Sequence, residues 1–213
     1  MVKTVPPEAY AEIGDALGIR RNGMLILDSM EMPSVLADCC LYDWFEDGKN
    51  LVQRYAEAHP AIPGSDEAYL LNAYRHTRYG ILTIRSVVPD AGLFVDDILN
   101  QEELFIMDQS FSRSLGKGSA VLATRTVPLG EFWMTGGAAL PVLSADALEP
   151  TLIQADKLLA RDSMNGPRAF TTAIVRACLD AGAAEHVVYT GTESRIRDRP
   201  RMPRWPGSKR HHR

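Results

Sequence analysis

The chain has 213 residues, of which 46% are hydrophobic and 23% charged, values typical of a globular protein with a packed core. No stretch approaches the roughly 20 apolar residues of a membrane-spanning helix, and no apolar signal core follows the N-terminus. Three cysteines, two of them adjacent, argue against a disulfide scaffold and favour a reducing compartment. We therefore expect a soluble, cytoplasmic protein.

The net charge of −4 hides an asymmetry between the end of the chain and the rest. Residues 195–213 contain eight lysines or arginines and one acid, which leaves 15 basic and 26 acidic residues, a net −11, elsewhere. Prolines in this segment and the lack of a core-forming pattern predict a disordered basic tail over residues 185–213.

Helical periodicity predominates in residues 1–78. Prolines mark the entry to the first helix and Gly18 its predicted end. Ser34 is the predicted N-cap of the second helix, which is apolar nearly all round, and Ser65 is the predicted N-cap of the last helix of the segment. Trp44 and Tyr55 lie on apolar stripes on either side of "EDGKN", so we expect both to be buried.

The hydrophobic period changes from near 3.6 to 2 residues at Tyr79. Turn sequences separate five β-rich runs: "YGILTIRSVV", "GLFVDDIL", "ELFIMDQSF", "SAVLATRTV" and "EFWMTGG". They predict a small antiparallel five-stranded barrel, or a strongly bent sheet, of the SH3 or OB kind over residues 79–143. Two helices follow in residues 144–184, the first of them expected to break near Pro150.

The predicted fold class is therefore α+β. An N-terminal helical segment (1–78), a barrel-like module (79–143) and C-terminal helices (144–184) pack as one body, and the basic tail (185–213) follows.

Two segments resemble a known family. "DCCLYDWFEDGKNLVQRYAEAHP" and the sequence from "AYRHTRYGILTIRSVV" to "ALPV" are similar to bacterial proteins in which a helical segment precedes a small β module. The similarity extends over about residues 35–143 and is most specific at "YDWFEDGKNLVQRY" and "VDDIL". Some related proteins end in an SEC-C-type zinc-binding tail, which "PRWPGSKRHHR" resembles in a degenerate form. The resemblance implies this order of segments and no activity.

The tail lacks the cysteines that would hold zinc. Tetrahedral zinc needs four converging ligands, and His211 and His212 supply at most half of such a site. We therefore predict no bound metal and no cofactor.

Cations in the tail predict contact with a polyanion, either nucleic acid or an acidic protein surface. Prolines keep the segment extended, and one tryptophan could stack on a base. The residues expected to make the contact are Arg195, Arg197, Arg199, Arg201, Arg204, Trp205, Lys209, Arg210 and Arg213. The alternative is a solvated tail that merely offsets the charge of the body.

Other motifs favour structural roles. "SLGKGSAV" fails the phosphate-loop pattern and leads into a strand, so it predicts a hairpin turn. Cys39 and Cys40 are expected to be buried small side chains, because neighbours on a helix do not face each other. Asp96 and Asp97 point to opposite faces of a strand and cannot hold one ion together, which favours a capped strand end or a solvated turn. Aromatic residues on the β runs are core candidates, and one or more could form a stacking platform: Phe94, Phe105, Phe111, Phe132 and Trp133.

Two functions remain open at this point. The first is a non-catalytic cytoplasmic binding or adaptor protein that uses the tail. The alternative is an enzyme whose site lies between helices and barrel and uses carboxylates such as Asp43, Asp96 and Asp97. An acidic barrel is by itself a poor ligand for phosphates.

Overall fold

The computed structural model describes residues 4–29, 31–114, 121–142, 145–161 and 167–183. Its helices are α1 (Pro7–Ala16), α2 (Met32–Asp43), α3 (Leu51–Ala58), α4 (Asp66–Arg75), α5 (Gln109–Ser114), α6 (Ala145–Arg161) and α7 (Pro167–Asp180). Its strands are β1 (Arg20–Arg21), β2 (Met24–Leu25), β3 (Phe45–Glu46), β4 (Lys49–Asn50), β5 (Arg78–Val88), β6 (Gly92–Asp97), β7 (Glu102–Met107), β8 (Val121–Leu129), β9 (Phe132–Thr135) and β10 (Leu140–Val142). The predicted basic tail lies outside the described residues, as does the centre of the predicted "SLGKGSAV" turn.

Local sequence signals set the ends of the first helices. Gly18 takes a positive φ of 74° just after α1, which confirms the predicted stop, since glycine adopts this conformation without strain. The predicted N-cap at Ser34 is wrong, because α2 already begins at Met32. Pro33 sits in the first turn, where its missing N–H costs nothing, so the helix starts ahead of it.

The "EDGKN" stretch forms a tight hairpin between β3 and β4. Asp47 and Gly48 both have positive φ, 52° and 77°, as a type I′ turn requires. Asn50 then caps α3 by accepting from the Gln53 backbone N–H, and the Gln53 side chain accepts from the Asn50 N–H. Ser65 caps α4 as predicted.

Five strands close into a barrel, as predicted. Along the chain they are β5, β6, β7, β8 and β9; β5 pairs with β6 and β8, β6 pairs with β7, and β9 joins β7 to β8. Numbered one to five, their order around the barrel is 1-2-3-5-4-1. The contact between β7 and β9 is parallel and the others are antiparallel. With α5 between the third and fourth strands, this is the connectivity of an OB fold.

The third β run ends earlier than the sequence pattern suggests. β7 stops at Met107, because Asp108 Oδ1 accepts from the Phe111 backbone N–H at 2.9 Å and starts α5. The predicted strand character of residues 109–111 is therefore wrong.

Two cores lie on either side of the barrel wall. The inner core fills the barrel with residues that alternate along the strands: Leu82, Leu93, Val95, Leu104, Ile106 and Leu122. The outer core joins α1, α2, α6 and α7 to the outward side chains of β5, β8 and β10. Because β8 is covered on both faces, it is buried over most of its length.

The remaining predictions on packing are only partly correct. Trp44 is 6% exposed and belongs to the outer core. Tyr55 is only half-buried and stacks on the His59 ring, with 4.3 Å between ring centroids. α6 continues through Pro150 and is not broken there, whereas α7 begins at Pro167, the first-turn position expected for it.

Candidate functional site

The outer face of β6 and β7 presents a pair of aromatic side chains, of which Phe94 is exposed and Phe105 is half-buried. Phe94 and Phe105 lie directly opposite each other in the strand register, with ring centroids 4.9 Å apart and ring planes inclined by 53°. Phe94 is 48% exposed, and Met107 extends the surface at 47% exposure. We call Phe94, Phe105 and Met107 the aromatic face. It can accept a flat ring, whether a nucleobase or an aromatic side chain.

The charges around the aromatic face are mixed and predominantly acidic. Arg85 Nη1 lies 2.6 Å from Glu103 Oε1, and its Nε lies 3.5 Å from Asp96 Oδ2. At the neighbouring loop Arg113 pairs with Asp90 at 2.6 Å. All five side chains are at least 45% exposed. The face can therefore stack on rings, but the described residues around it supply no unpaired cation for phosphates.

The other aromatic residues of the barrel contribute less surface. Phe111 and Trp133 pack against the inner core. The Arg78 guanidinium lies over the Trp133 ring, 4.4 Å from its centroid. Phe132 is half-buried. Of the predicted stacking candidates, Phe94 and Phe105 are thus the two that the structure brings together at the surface.

A buried ionic cluster joins the helices to the barrel. Arg125 on β8 is 5% exposed and points out of the barrel towards α2, where its Nε donates to Asp38 Oδ2 at 2.9 Å and its Nη2 to Asp43 Oδ2 at 2.6 Å. The Tyr42 ring covers the guanidinium at 4.3 Å. We call Arg125, Asp38 and Asp43 the junction triad. It connects two elements that are more than 80 residues apart in sequence.

Two carboxylates share one guanidinium in this cluster, and the pKa values reflect that. Burial raises the pKa of Asp43 to about 7 even though Arg125 opposes the shift, and burial also raises the pKa of Asp38. Burial alone would lower the pKa of Arg125, but the two carboxylates outweigh it and raise that pKa. Near neutral pH the triad thus holds a proton on Asp43 part of the time.

A cavity of about 380 Å³ opens beside the triad. Asp43, Arg125 and Tyr79 line it, together with residues that include Arg75 and Thr171. We call it the junction cavity. Burial raises the pKa of Asp43 to about 7 beside this cavity, and a carboxyl group in such a setting is a candidate general acid or base.

The three carboxylates proposed for an enzyme do not meet. Only Asp43 lines the junction cavity. Asp96 is paired with Arg85 on the barrel surface. Asp97 is 1% exposed and accepts from the backbone N–H groups of Leu99 and Asn100, which is the predicted capped strand end.

Cys39 and Cys40 are buried as predicted, and Cys178 is buried as well. Cys39, Cys40 and Cys178 are free thiols with at most 1% exposure. Burial raises the pKa of Cys40 and Cys178 to about 12 and that of Cys39 well above its ordinary value, so all three stay protonated. Possible ligand atoms of Asp38, Cys39 and Asp43 lie within 4.8 Å of one another, but Arg125 already occupies both carboxylates.

Sequence reasoning missed Asp38 and Arg125. Each is a charged residue within a mostly apolar run, "SVLADCCLYDWF" and "VLATRTV". An arginine in a strand buried on both faces needs a buried partner, and that was the available signal.

These features define a class: an OB-type barrel fused to a helical layer, with a partly exposed aromatic pair on its second and third strands. The chain belongs to a protein family of unknown function, DUF7986, whose profile matches residues 1–159. No curated protein and no solved structure matches the chain. Among the described residues, no helix is both long and apolar enough to cross a membrane.

Proposed function

We propose that the protein is a cytoplasmic single-stranded nucleic-acid-binding module. In this proposal the aromatic face stacks on bases, and the basic tail of residues 195–213 neutralises phosphates. The observation that carries it is the cross-strand pair of the exposed Phe94 and the half-buried Phe105 on the second and third strands of an OB-type barrel. In OB folds that surface is the usual platform for oligonucleotides.

The separate roles of the aromatic face and the basic tail follow from the charges that each carries. Asp96 and Glu103 already neutralise Arg85 beside the aromatic face, so stacking there gains little help from the barrel's own charge. The eight cations of the tail fill that need. Binding should therefore be steeply salt-dependent, by about 0.7–0.9 log units per log unit of salt for each phosphate neutralised.

Fluorescence anisotropy with a labelled oligouridine tests the proposal. Replacing both Phe94 and Phe105 by alanine should weaken binding about 5- to 150-fold for each base that no longer stacks, because one stacked base contributes about 1–3 kcal/mol. Ile62→Ala is the matched control, because Ile62 is 77% exposed in the loop before α4. Phe94→Tyr keeps a ring and should retain affinity.

Removal of residues 195–213 should reduce both affinity and the slope of log affinity against log salt. Two results would refute the proposal: no binding by the full chain at low salt, or equal binding by the double alanine variant and the Ile62→Ala control. Binding of an acidic protein instead of the oligonucleotide would point to the other polyanion that the tail predicts.

The second candidate function is an enzyme that works in the junction cavity. It is favoured by Asp43, a buried carboxyl group with a pKa of about 7 that faces a cavity. Any activity found in a substrate screen should be lost in Asp43→Asn. The pH–rate profile should bend near pH 7, and a profile flat through that range would exclude Asp43 as the acid or base.

A remote kinship is proposed on the similarity of the tail. "PRWPGSKRHHR" is interpreted as a degenerate SEC-C-type tail of a bacterial protein, in which the cysteines have been lost and the cations kept.

A further inference from the structure

The aromatic face is bordered by exposed acids. Asp96 and Glu103, which share Arg85 as a partner, have side chains that are 45% and 73% exposed, and in the turn after β5 the side chain of Asp90, which pairs with Arg113, is 70% exposed. The exposed Phe94 ring, the half-buried Phe105 ring beside it and the exposed Met107 side chain lie among these carboxylates. A matching ligand would have an aromatic ring with guanidinium groups close to it on both sides.

The chain itself carries such a segment. "RPRMPRWPGSKR" places Trp205 directly after Arg204, with further cations within a few residues on both sides. Residues 195–213 carry a net +7 and the rest of the chain −11, so the two attract each other. Arginine side chains form bidentate hydrogen bonds with carboxylates and also stack on aromatic rings, so one segment can satisfy both features of the face.

The connecting segment is long enough for the contact. Between Ala183, the last described residue, and Trp205 the chain can extend about 3.3–3.6 Å per residue, which is a reach of about 75 Å. A folded body of this size has a radius of gyration of only about 16 Å. Every side of the barrel is therefore within reach of the tail.

We propose that the tail, residues 195–213, docks on the aromatic face of its own chain, with Trp205 on the Phe94–Phe105 pair and the arginines on the bordering acids. The contact deepens the proposed function and rests on it for its purpose, because tail and bases then compete for the same rings. A nucleic acid must displace Trp205 before it can stack, and the released arginines become free to bind its phosphates. The docked tail thus covers the aromatic face until a single-stranded nucleic acid supplies both bases and phosphates.

A spin label on the full chain tests the contact. Ser208→Cys introduces one reactive thiol, because Cys39, Cys40 and Cys178 are buried. The readout is the methyl signal of Met107, which lies on the face, with the exposed Met24 on β2 as reference. At low salt the label should abolish the Met107 signal and spare that of Met24, and reduction of the label should restore it.

Three conditions should also restore the Met107 signal: high salt, which shortens the range of charge attraction; an added oligouridine; and Glu103→Lys. Glu12→Lys is the matched control, because Glu12 is an exposed acid on α1. A Met107 signal that the label leaves unchanged would overturn the proposal, as would equal restoration by Glu12→Lys and Glu103→Lys. Loss of the Met107 signal without any oligonucleotide binding would keep the contact and reject the proposed function.

Discussion

Replacement of Arg125 by methionine tests whether the junction triad holds the helices to the barrel. Methionine keeps much of the apolar stem of the arginine and removes its charge. It leaves Asp38 and Asp43 in a site where both side chains are only 7% exposed, without the guanidinium that donates to them at 2.9 and 2.6 Å. The two carboxyl groups must then either stay charged without a partner or take up protons.

The free-energy cost follows from the proton uptake. Holding one aspartate of ordinary pKa 3.8 neutral at pH 7 costs about 4 kcal/mol, at about 1.4 kcal/mol per pH unit. Asp43 already bears most of this cost in the native protein, because its pKa is about 7 there. The new cost therefore falls mainly on Asp38. We expect Arg125→Met to lose about 3–5 kcal/mol of unfolding free energy at pH 7, the usual range for a broken buried ion pair.

Urea unfolding at two pH values measures this loss. At pH 4.5, which is close to the ordinary pKa of aspartate, protonation of the two carboxyl groups costs little free energy. The loss of unfolding free energy should therefore shrink to about 1–2 kcal/mol. Arg85→Met is the matched control, because Arg85 is half-exposed and its ion pairs lie at the surface, where such pairs contribute at most about 1 kcal/mol. The reasoning fails if both variants lose the same stability at pH 7, or if the loss for Arg125→Met does not depend on pH.

Three further predictions concern the body and the tail. Burial raises the pKa of Asp43 from 3.8 to about 7, so the contribution of this group to the free energy of unfolding falls as the pH rises through that range. The unfolding free energy of Asp43→Asn, relative to that of the wild type, should therefore increase by up to about 4 kcal/mol between pH 4 and pH 7. Urea unfolding measures this difference, and a difference that stays constant with pH would contradict the prediction. Trp44→Ala should cost about 3–5 kcal/mol, because it empties a core site, and an unchanged thermal melt would disprove this. Metal analysis after dialysis should find far less than one zinc per chain; stoichiometric zinc that disappears when His211 and His212 are replaced would show that the tail binds metal.

The barrel could be predicted from sequence because its signals are local. Period-2 hydrophobicity from Tyr79 onward and turn sequences between the runs are properties of neighbouring residues. The choice between SH3 and OB order could not be made this way. It depends on the contact between Ile106 on β7 and Trp133 on β9, which is set by packing across the barrel.

The site residues were predictable in unequal measure. Phe94 and Phe105 emerged as stacking candidates, but each lies between apolar neighbours in "LFV" and "LFI", so alternation could not show which side chains face solvent. The partnership of Arg125 with Asp38 and Asp43 joins positions 87 and 82 residues apart, which no local pattern encodes. Asp43 lies between the helices and the barrel, where the enzyme hypothesis places it, whereas the strand register directs Asp96 and Asp97 away from that region.

Photo-crosslinking to a single strand that contains 4-thiouridine tests the central claim most directly, because it reports which side chain touches the base. At low salt we expect the crosslinked peptides to contain Phe94 or Phe105, and the yield to fall when both are replaced by alanine. Crosslinks confined to the tail, or the same yield from the double alanine variant, would contradict the claim that the barrel stacks on nucleobases.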